Sequence, residues 1–208
     1  MNVKLLNELR RISPEEEGIL AGNGPDADIY TSRRADTVDA DKLLERGRLI
    51  TVRPSTRFAY FPPHRHNYIE VVYMCQGFTH HVVDGDDILL REGEILFLSQ
   101  KARQELFPAG EEDIAVNFIV LPQFFDEGLR MLGETESPLR AFLLAALQGR
   151  GETSYLHFQV ADILPIQNLL ENLIWSLWNH ETNQRAINQI SMGLLFLNLV
   201  NSSDRITF

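Results

Sequence analysis

Short β-rich runs separated by turn residues fill the middle of this 208-residue chain, and they constrain its fold more than any other feature. These runs occupy positions 48–52, 57–61, 68–74, 78–83, 87–90, 94–98 and 113–120. Their spacing of roughly ten residues is typical of a closed or sandwiched antiparallel sheet. Between two of the runs lies Asp84-Gly85, a pair that tolerates the positive φ angles of a tight hairpin. Residues 47–122 are therefore predicted to form a β-barrel or β-sandwich.

After Pro122 the apolar period changes to that of α-helices. Three amphipathic stripes follow within 123–208, and they comprise Leu139, Phe142, Leu143, Ala146 and Leu147; Ile166, Leu169, Leu170, Leu173, Ile174 and Leu177; and Ile187, Ile190, Leu194, Leu197 and Val200. Additional apolar residues widen the last stripe, so one barrel is not expected to cover that helix completely. We therefore predict a homodimer interface that includes Ile190, Leu194 and Leu197. The alternative is a helix sandwiched within its own subunit.

Residues 1–46 are polar and are predicted to form an arm of short helices and loops. Ser13-Pro14-Glu15-Glu16 predicts a helix start, because the serine can cap free backbone amides, proline suits the first helical position and Glu16 completes a capping box.

Charge and cysteine content exclude several classes of protein. The chain carries 29 acidic and 19 basic side chains, a net charge of −10, which argues against direct binding to the phosphates of nucleic acid. Cys75 is the single cysteine, so an intrachain disulfide and a zinc site of clustered thiolates are excluded, and a reducing cytoplasmic setting is expected. The first residues lack the apolar segment of a signal peptide, and no apolar stretch approaches the length of a membrane span.

The pattern His64-x-His66-x-x-x-Glu70 is the main chemical signal. Two imidazoles and a carboxylate can bind zinc, iron, manganese or nickel. In a straight strand His64 and Glu70 would face the same side but lie roughly 20 Å apart. A shared ion or ligand therefore requires a bend, for which Asn67 is the expected place.

The same residues resemble the first motif of the cupin family, in which two His and one Glu meet inside a β-barrel; Gly77 also fits that motif. The glycine that usually precedes the first His is replaced by Phe58. In the second cupin motif Gly93 matches, whereas Gln104 stands where the resemblance implies a fourth ligand, His. Loss of that imidazole weakens the expectation of a bound metal, because glutamine is a poor ligand for these ions.

A wider resemblance covers roughly residues 48–208 and rests on the runs Phe61–Gly77, Arg91–Leu98 and Asn117–Val120 followed by helices. It is to the amino-terminal half of AraC-type (AraC/XylS) transcriptional regulators. The resemblance implies a mainly β fold with α, in which a cupin-like double-stranded β-barrel (jelly roll) binds a small effector, often a sugar, and a helical subdomain dimerises. It also implies a carboxy-terminal helix-turn-helix domain that binds DNA and is absent from this chain.

We accordingly expect a sensor domain, and no enzyme, whose partners are a small polar effector, a second copy and, only through the absent domain, DNA. His80 and His81 lie on opposite strand faces, so one of them faces inward, and His80 is included as the candidate. The predicted effector-binding residues are His64, His66, Tyr68, Glu70, His80 and Gln104. No cofactor is expected. The alternative is a cupin metalloenzyme, an isomerase or dioxygenase, that binds a divalent transition metal through His64, His66 and Glu70.

Overall fold

The structure, a computed structural model, describes residues 1–31, 36–149, 153–179 and 183–208. The helices in these ranges are α1 (Val3–Leu9), α2 (Pro14–Leu20), α3 (Ala27–Tyr30), α4 (Ala40–Leu43), α5 (Asp126–Leu132), α6 (Pro138–Leu147), α7 (Leu164–Asn179) and α8 (Gln184–Val200). The strands are β1 (Thr37–Val38), β2 (Ile50–Pro54), β3 (Phe61–His66), β4 (Ile69–Gln76), β5 (Phe78–Val83), β6 (Asp86–Arg91), β7 (Ile95–Leu98), β8 (Gln104–Leu106), β9 (Ile114–Val120), β10 (Tyr155–Phe158) and β11 (Ile206–Thr207).

The strands form two sheets. One has the order β1-β3-β8-β5-β6 and the other the order β11-β10-β7-β4-β9-β2. The predicted hairpin is confirmed, since Asp84 and Gly85 join β5 to β6 with φ angles of 51° and 100°. The run 57–61 is not a strand: Phe58 has a φ of 66°, and β3 begins only at Phe61.

Alternation along β4 divides the interior into two environments. Ile69, Val71 and Tyr73 pack into the large apolar core between the six-stranded sheet and the helices. Glu70 and Val72 point to the other side, into the barrel. Burial of each large apolar side chain in the sheet-helix core contributes about 1.5–3 kcal/mol. The helices therefore cover the outer face of this sheet. Inside the barrel, a second apolar cluster that includes Val72, Met74 and Leu96 packs beside the polar groups around Glu70.

The predicted boundaries at 46/47 and 122/123 do not delimit the sheets. From the arm, β1 pairs in parallel with β3. From the region predicted to be helical, β10 pairs with β7 and β11 pairs with β10. Short strands from both flanking regions therefore extend the two sheets beyond the range 47–122.

The arm is anchored to the barrel through a buried ion pair. Ser13 and Glu16 form the predicted capping box of α2. The Glu16 carboxylate also accepts a hydrogen bond from Arg57 Nε at 2.7 Å, and both side chains are buried. The attraction between two buried charges only partly offsets the cost of removing them from water. A variant that lacks one partner would leave the other charge buried and unpaired, which is strongly destabilising.

Within the described residues, no helix combines the length and the hydropathy needed to cross a membrane.

Candidate functional site

A bend between β3 and β4 brings the histidine and carboxylate of the sequence motif together. The chain bends at Asn67 and Tyr68, as the sequence predicts, and His66 Nε2 lies 3.5 Å from Glu70 Oε2. Asn67 holds the bend against the arm, because its Oδ1 accepts a hydrogen bond from the Ala40 amide at 2.8 Å. Its Nδ2 donates to Asp39 Oδ1 at 2.9 Å. The same residue therefore shapes the site and fastens the arm over it.

The bend opens onto a cavity of about 50 Å³ inside the barrel. The arm covers its mouth with Tyr30, Val38 and Leu43. Six barrel strands and the loops that follow β2 and β3 supply its polar lining, which comprises Arg53, Ser55, Thr56, His64, His66, Tyr68, Glu70, His81, Gln104 and Asn117. The structure thus brings five of the six predicted effector-binding residues to one cavity.

Burial sets the protonation of the central pair. Desolvation holds the pKa of His66 well below its usual range, and His64 nearby lowers it further. Desolvation also raises the pKa of Glu70 to about 7, although Arg53 and a hydrogen bond from Asn117 oppose this shift. His66 is therefore neutral at physiological pH, while Glu70 can exchange its proton there. A neutral imidazole offers one donor and one acceptor to a ligand.

Two buried atoms in this cavity have no hydrogen-bond partner among the described residues: His66 Nδ1 and Asn117 Oδ1. The other end of the Asn117 amide is engaged, since Nδ2 donates to Glu70 Oε1 at 3.1 Å. An unpartnered buried polar atom costs about 1–3 kcal/mol. Both residues line the same cavity, which indicates a place where a polar ligand or water completes the hydrogen bonding.

The choice of His80 as the inward histidine is wrong. His80 stacks on Phe107 at a ring-centroid distance of 4.4 Å and bonds to Asp87 on the outer face of β5. His81 lies inside instead, where its Nδ1 is 2.8 Å from Gln104 Nε2. Desolvation lowers the pKa of His81 to about 3, with smaller contributions from neighbouring histidines.

Arg53 and Asn117 were not among the predicted site residues. They are register partners on β2 and β9, and both line the cavity. Arg53 Nη2 lies 3.3 Å from the Tyr30 hydroxyl and 3.6 Å from Glu15 Oε2. The alternation of side chains along β2 could have identified Arg53 as a site residue. Ile50 and Val52 lie in the sheet-helix core, so Thr51 and Arg53 point to the opposite face, towards the barrel interior.

The predicted metal ligands do not form a ligand set in this arrangement. Across the described residues, no group of three or more His, Cys, Asp or Glu side chains is placed to hold a metal ion. His64 Nδ1 instead lies 2.8 Å from the Pro62 carbonyl oxygen, and Gln104 bonds to His81. The fit to a metal is therefore poor, and no step proposed below depends on one.

The architecture and the cavity define a class of protein: a cupin-like β-barrel with a small polar interior, covered by an amino-terminal arm and followed by a helical hairpin. The sequence profile of the AraC-like ligand binding domain family matches residues 55–200. The chain belongs to this family, which confirms the predicted fold class and makes the chain a ligand-sensing regulatory domain.

Comparison with solved structures finds similar chains at low sequence identity, and one of them reaches a TM-score above 0.5. An apo point variant of ToxT from Vibrio cholerae is 14% identical over 75% of this chain and 58% of its own, with a TM-score of 0.51. Wild-type ToxT from that organism with a bound unsaturated fatty acid is 11% identical over 75% of this chain and 54% of its own, with a TM-score of 0.46. A cupin protein from Bacteroides fragilis is 18% identical over 42% of this chain and 69% of its own, with a TM-score of 0.29.

The chain thus spans less than two thirds of these ToxT proteins. The comparison with curated proteins gave no significant match.

Proposed function

We propose that the barrel cavity binds a small polyhydroxylated effector, such as a sugar or its uronic acid, and reports its presence to the rest of a transcriptional regulator. The observation that carries this proposal is the pair of unpartnered buried atoms, His66 Nδ1 and Asn117 Oδ1, whose residues line one cavity. A hydroxyl group both donates and accepts hydrogen bonds, so adjacent hydroxyls suit such a mixed lining. Arg53 adds a cation that would pair with the carboxylate of a uronic acid.

Effector entry requires movement of the arm. A cavity of about 50 Å³ holds only a few water molecules, which is too little for a monosaccharide. The cavity walls are paired strands, whereas the part of the arm that covers it is attached by the two-residue strand β1, by the Asn67 side chain and by hydrogen bonds of the Tyr30 hydroxyl with Arg53 and Thr56. Binding would therefore favour an arrangement in which the arm is displaced, and this difference between states is what a regulator can transmit.

The output of the sensor is proposed to pass through a homodimer. Ile190 and Leu194 of α8 are 58% and 42% exposed, and Leu197 is 36% exposed. Leu195 and Phe196 on the opposite face are buried in the subunit's own core. This division supports a second copy as the partner of the exposed face. DNA would be bound by a further, carboxy-terminal domain of the whole protein, in the cytoplasm.

The binding proposal can be tested with a panel of aldopentoses, aldohexoses and the corresponding uronic acids, followed by thermal unfolding of the chain. At least one member is expected to raise the unfolding temperature, because a ligand that binds only the folded state stabilises it. His66→Leu should weaken that effect by at least about tenfold in apparent affinity. His80→Leu, the same change on the outer face, should leave it unchanged. A silent panel, or equal binding by the His66 variant, contradicts the proposal.

A further inference from the structure

A second cavity, of about 220 Å³, lies at the junction between the barrel and the helical hairpin. Its apolar floor is formed by Leu49 and Ile50 at the start of β2 and by Phe124 and Leu177. None of the residues that line it also lines the barrel cavity. It is therefore a separate site, bounded by both parts of the fold.

Two arginines stand at the rim of this junction cavity. Arg48 is fixed in place, because its Nε donates to Glu45 Oε2 at 2.9 Å and its Nη1 donates to Gln184 Oε1. Gln184 is fixed in turn by a 2.6 Å hydrogen bond from its Nε2 to the Ser176 carbonyl. Arg185 is exposed and lines the same cavity. The Glu45 carboxylate balances the charge of Arg48, so Arg185 supplies the excess positive charge at this cavity, and in a chain with a net charge of −10 that charge favours an anionic ligand.

Asn188 supplies an independent indication that something binds here. Its side chain is 1% exposed, it lines the cavity, and its Oδ1 has no hydrogen-bond partner in the part of the chain that the structure describes. Burial of such an atom without a partner costs about 1–3 kcal/mol. The amide oxygen can only accept a hydrogen bond, whereas the amino group of the same side chain donates, so a carboxylate in the cavity would accept from the Asn188 amino group.

We infer that the junction cavity binds a small organic carboxylate with a compact apolar body. The planar guanidinium group of Arg185 matches the geometry of a carboxylate. Arg48 adds only the N–H groups that Glu45 and Gln184 leave available, and the apolar floor accepts the body of the ligand. An inorganic anion would leave that floor uncovered, and a neutral apolar molecule would leave the polar rim unpaired. The volume equals about seven water-sized volumes, which suits a molecule of the size of benzoate.

Calorimetric titration of the chain with benzoate tests this inference, with benzyl alcohol and inorganic phosphate as matched probes. Benzoate is expected to bind with a Kd of roughly 0.1–1 mM, the range reached by ligands of this size. Both matched probes should bind at least about tenfold more weakly, since each lacks one half of the recognition. Phosphate binding as tight as that of benzoate would overturn the carboxylate assignment, and so would a titration in which benzoate releases no heat and shifts no unfolding transition.

Variants locate the site. Arg185→Gln and Asn188→Leu should each weaken benzoate binding by at least about tenfold. Arg46→Gln removes the same charge from an exposed position that does not line the cavity, and should bind like the parent chain. His66→Leu in the barrel should also leave benzoate binding intact. Binding that survives Arg185→Gln and is lost in His66→Leu would place benzoate in the barrel and overturn the inference, with the sugar-binding proposal unaffected.

Discussion

Gln104 and His81 form a hydrogen bond whose direction is fixed by chemistry. The Gln104 Nε2 group lies 2.8 Å from His81 Nδ1, and an amide nitrogen can only donate. His81 Nδ1 therefore accepts, and the ring proton sits on Nε2, where it is donated to Thr79 Oγ1 at 2.8 Å. The residue at the position where the cupin resemblance implies a metal ligand thus fixes the tautomer of a neutral histidine.

The first prediction concerns acid stability. Burial lowers the pKa of His81 from 6.5 to about 3, so between these values the unfolded chain binds a proton that the folded chain does not. Stability contributed by neutral His81 is present in full well above pH 6.5 and is lost as the pH falls, by about 2 kcal/mol between pH 6.5 and pH 4.5. His81→Gln should remove this slope, as measured by guanidinium unfolding at several pH values.

The free energy of unfolding has to be compared between variant and parent, because Glu70 changes its pH dependence in the direction opposite to His81. Its pKa is raised to about 7, so its contribution to stability falls as the pH rises from 4.5 towards 7. The difference between the parent and the His81 variant cancels this contribution. A difference that stays constant from pH 6.5 to pH 4.5 would contradict the buried neutral state of His81.

The second prediction concerns entry to the barrel. Thr37 and Arg65 are register partners on β1 and β3, and neighbouring strands lie about 4.7–4.9 Å apart, within the range that a disulfide spans. In a Thr37→Cys/Arg65→Cys variant, oxidation should fasten the arm and weaken binding of a panel sugar by at least about tenfold, and reduction should restore it. The single variant Thr37→Cys is the control, and equal affinity of the oxidised and reduced double variant would show that the arm need not move.

The third prediction concerns assembly. Leu194→Glu places a charge in the exposed apolar face of α8 and should convert dimers to monomers in sedimentation velocity experiments, because a buried unpaired charge is costly at an interface. Phe78→Glu is the matched control, since Phe78 is 51% exposed on the barrel. Dimers that persist in a folded Leu194 variant would place the interface elsewhere.

The fourth prediction concerns metal content. Purified chain is expected to contain well under one equivalent of any transition metal by mass spectrometry, because His64 and Gln104 are engaged with Pro62 and His81. A full equivalent of metal that His64→Ala removes would favour the cupin metalloenzyme instead.

Sequence reasoning was most successful where one residue had to satisfy a geometric requirement. His66 and Glu70 can meet only if the chain turns between them, which identified Asn67 as the bend. The choice of His80 as the inward histidine failed because the sequence of β5 does not show which of its two faces is buried. One face carries Phe78, His80 and Val82 and the other carries Thr79, His81 and Val83, and neither set is clearly more apolar. The strands β1 and β11 span two residues each, too few to show any period.

The central claim is that a small polar effector completes the hydrogen bonding of His66 and Asn117. Nuclear magnetic resonance of the chain labelled with nitrogen-15 in its six histidines tests it most directly, with the His66 signals assigned from His66→Leu. Titration with the panel sugar that stabilises the chain most should shift the ring Nδ1 signal of His66 and leave that of His80 unchanged. Saturation of the chain with no change at His66 Nδ1 would contradict the claim.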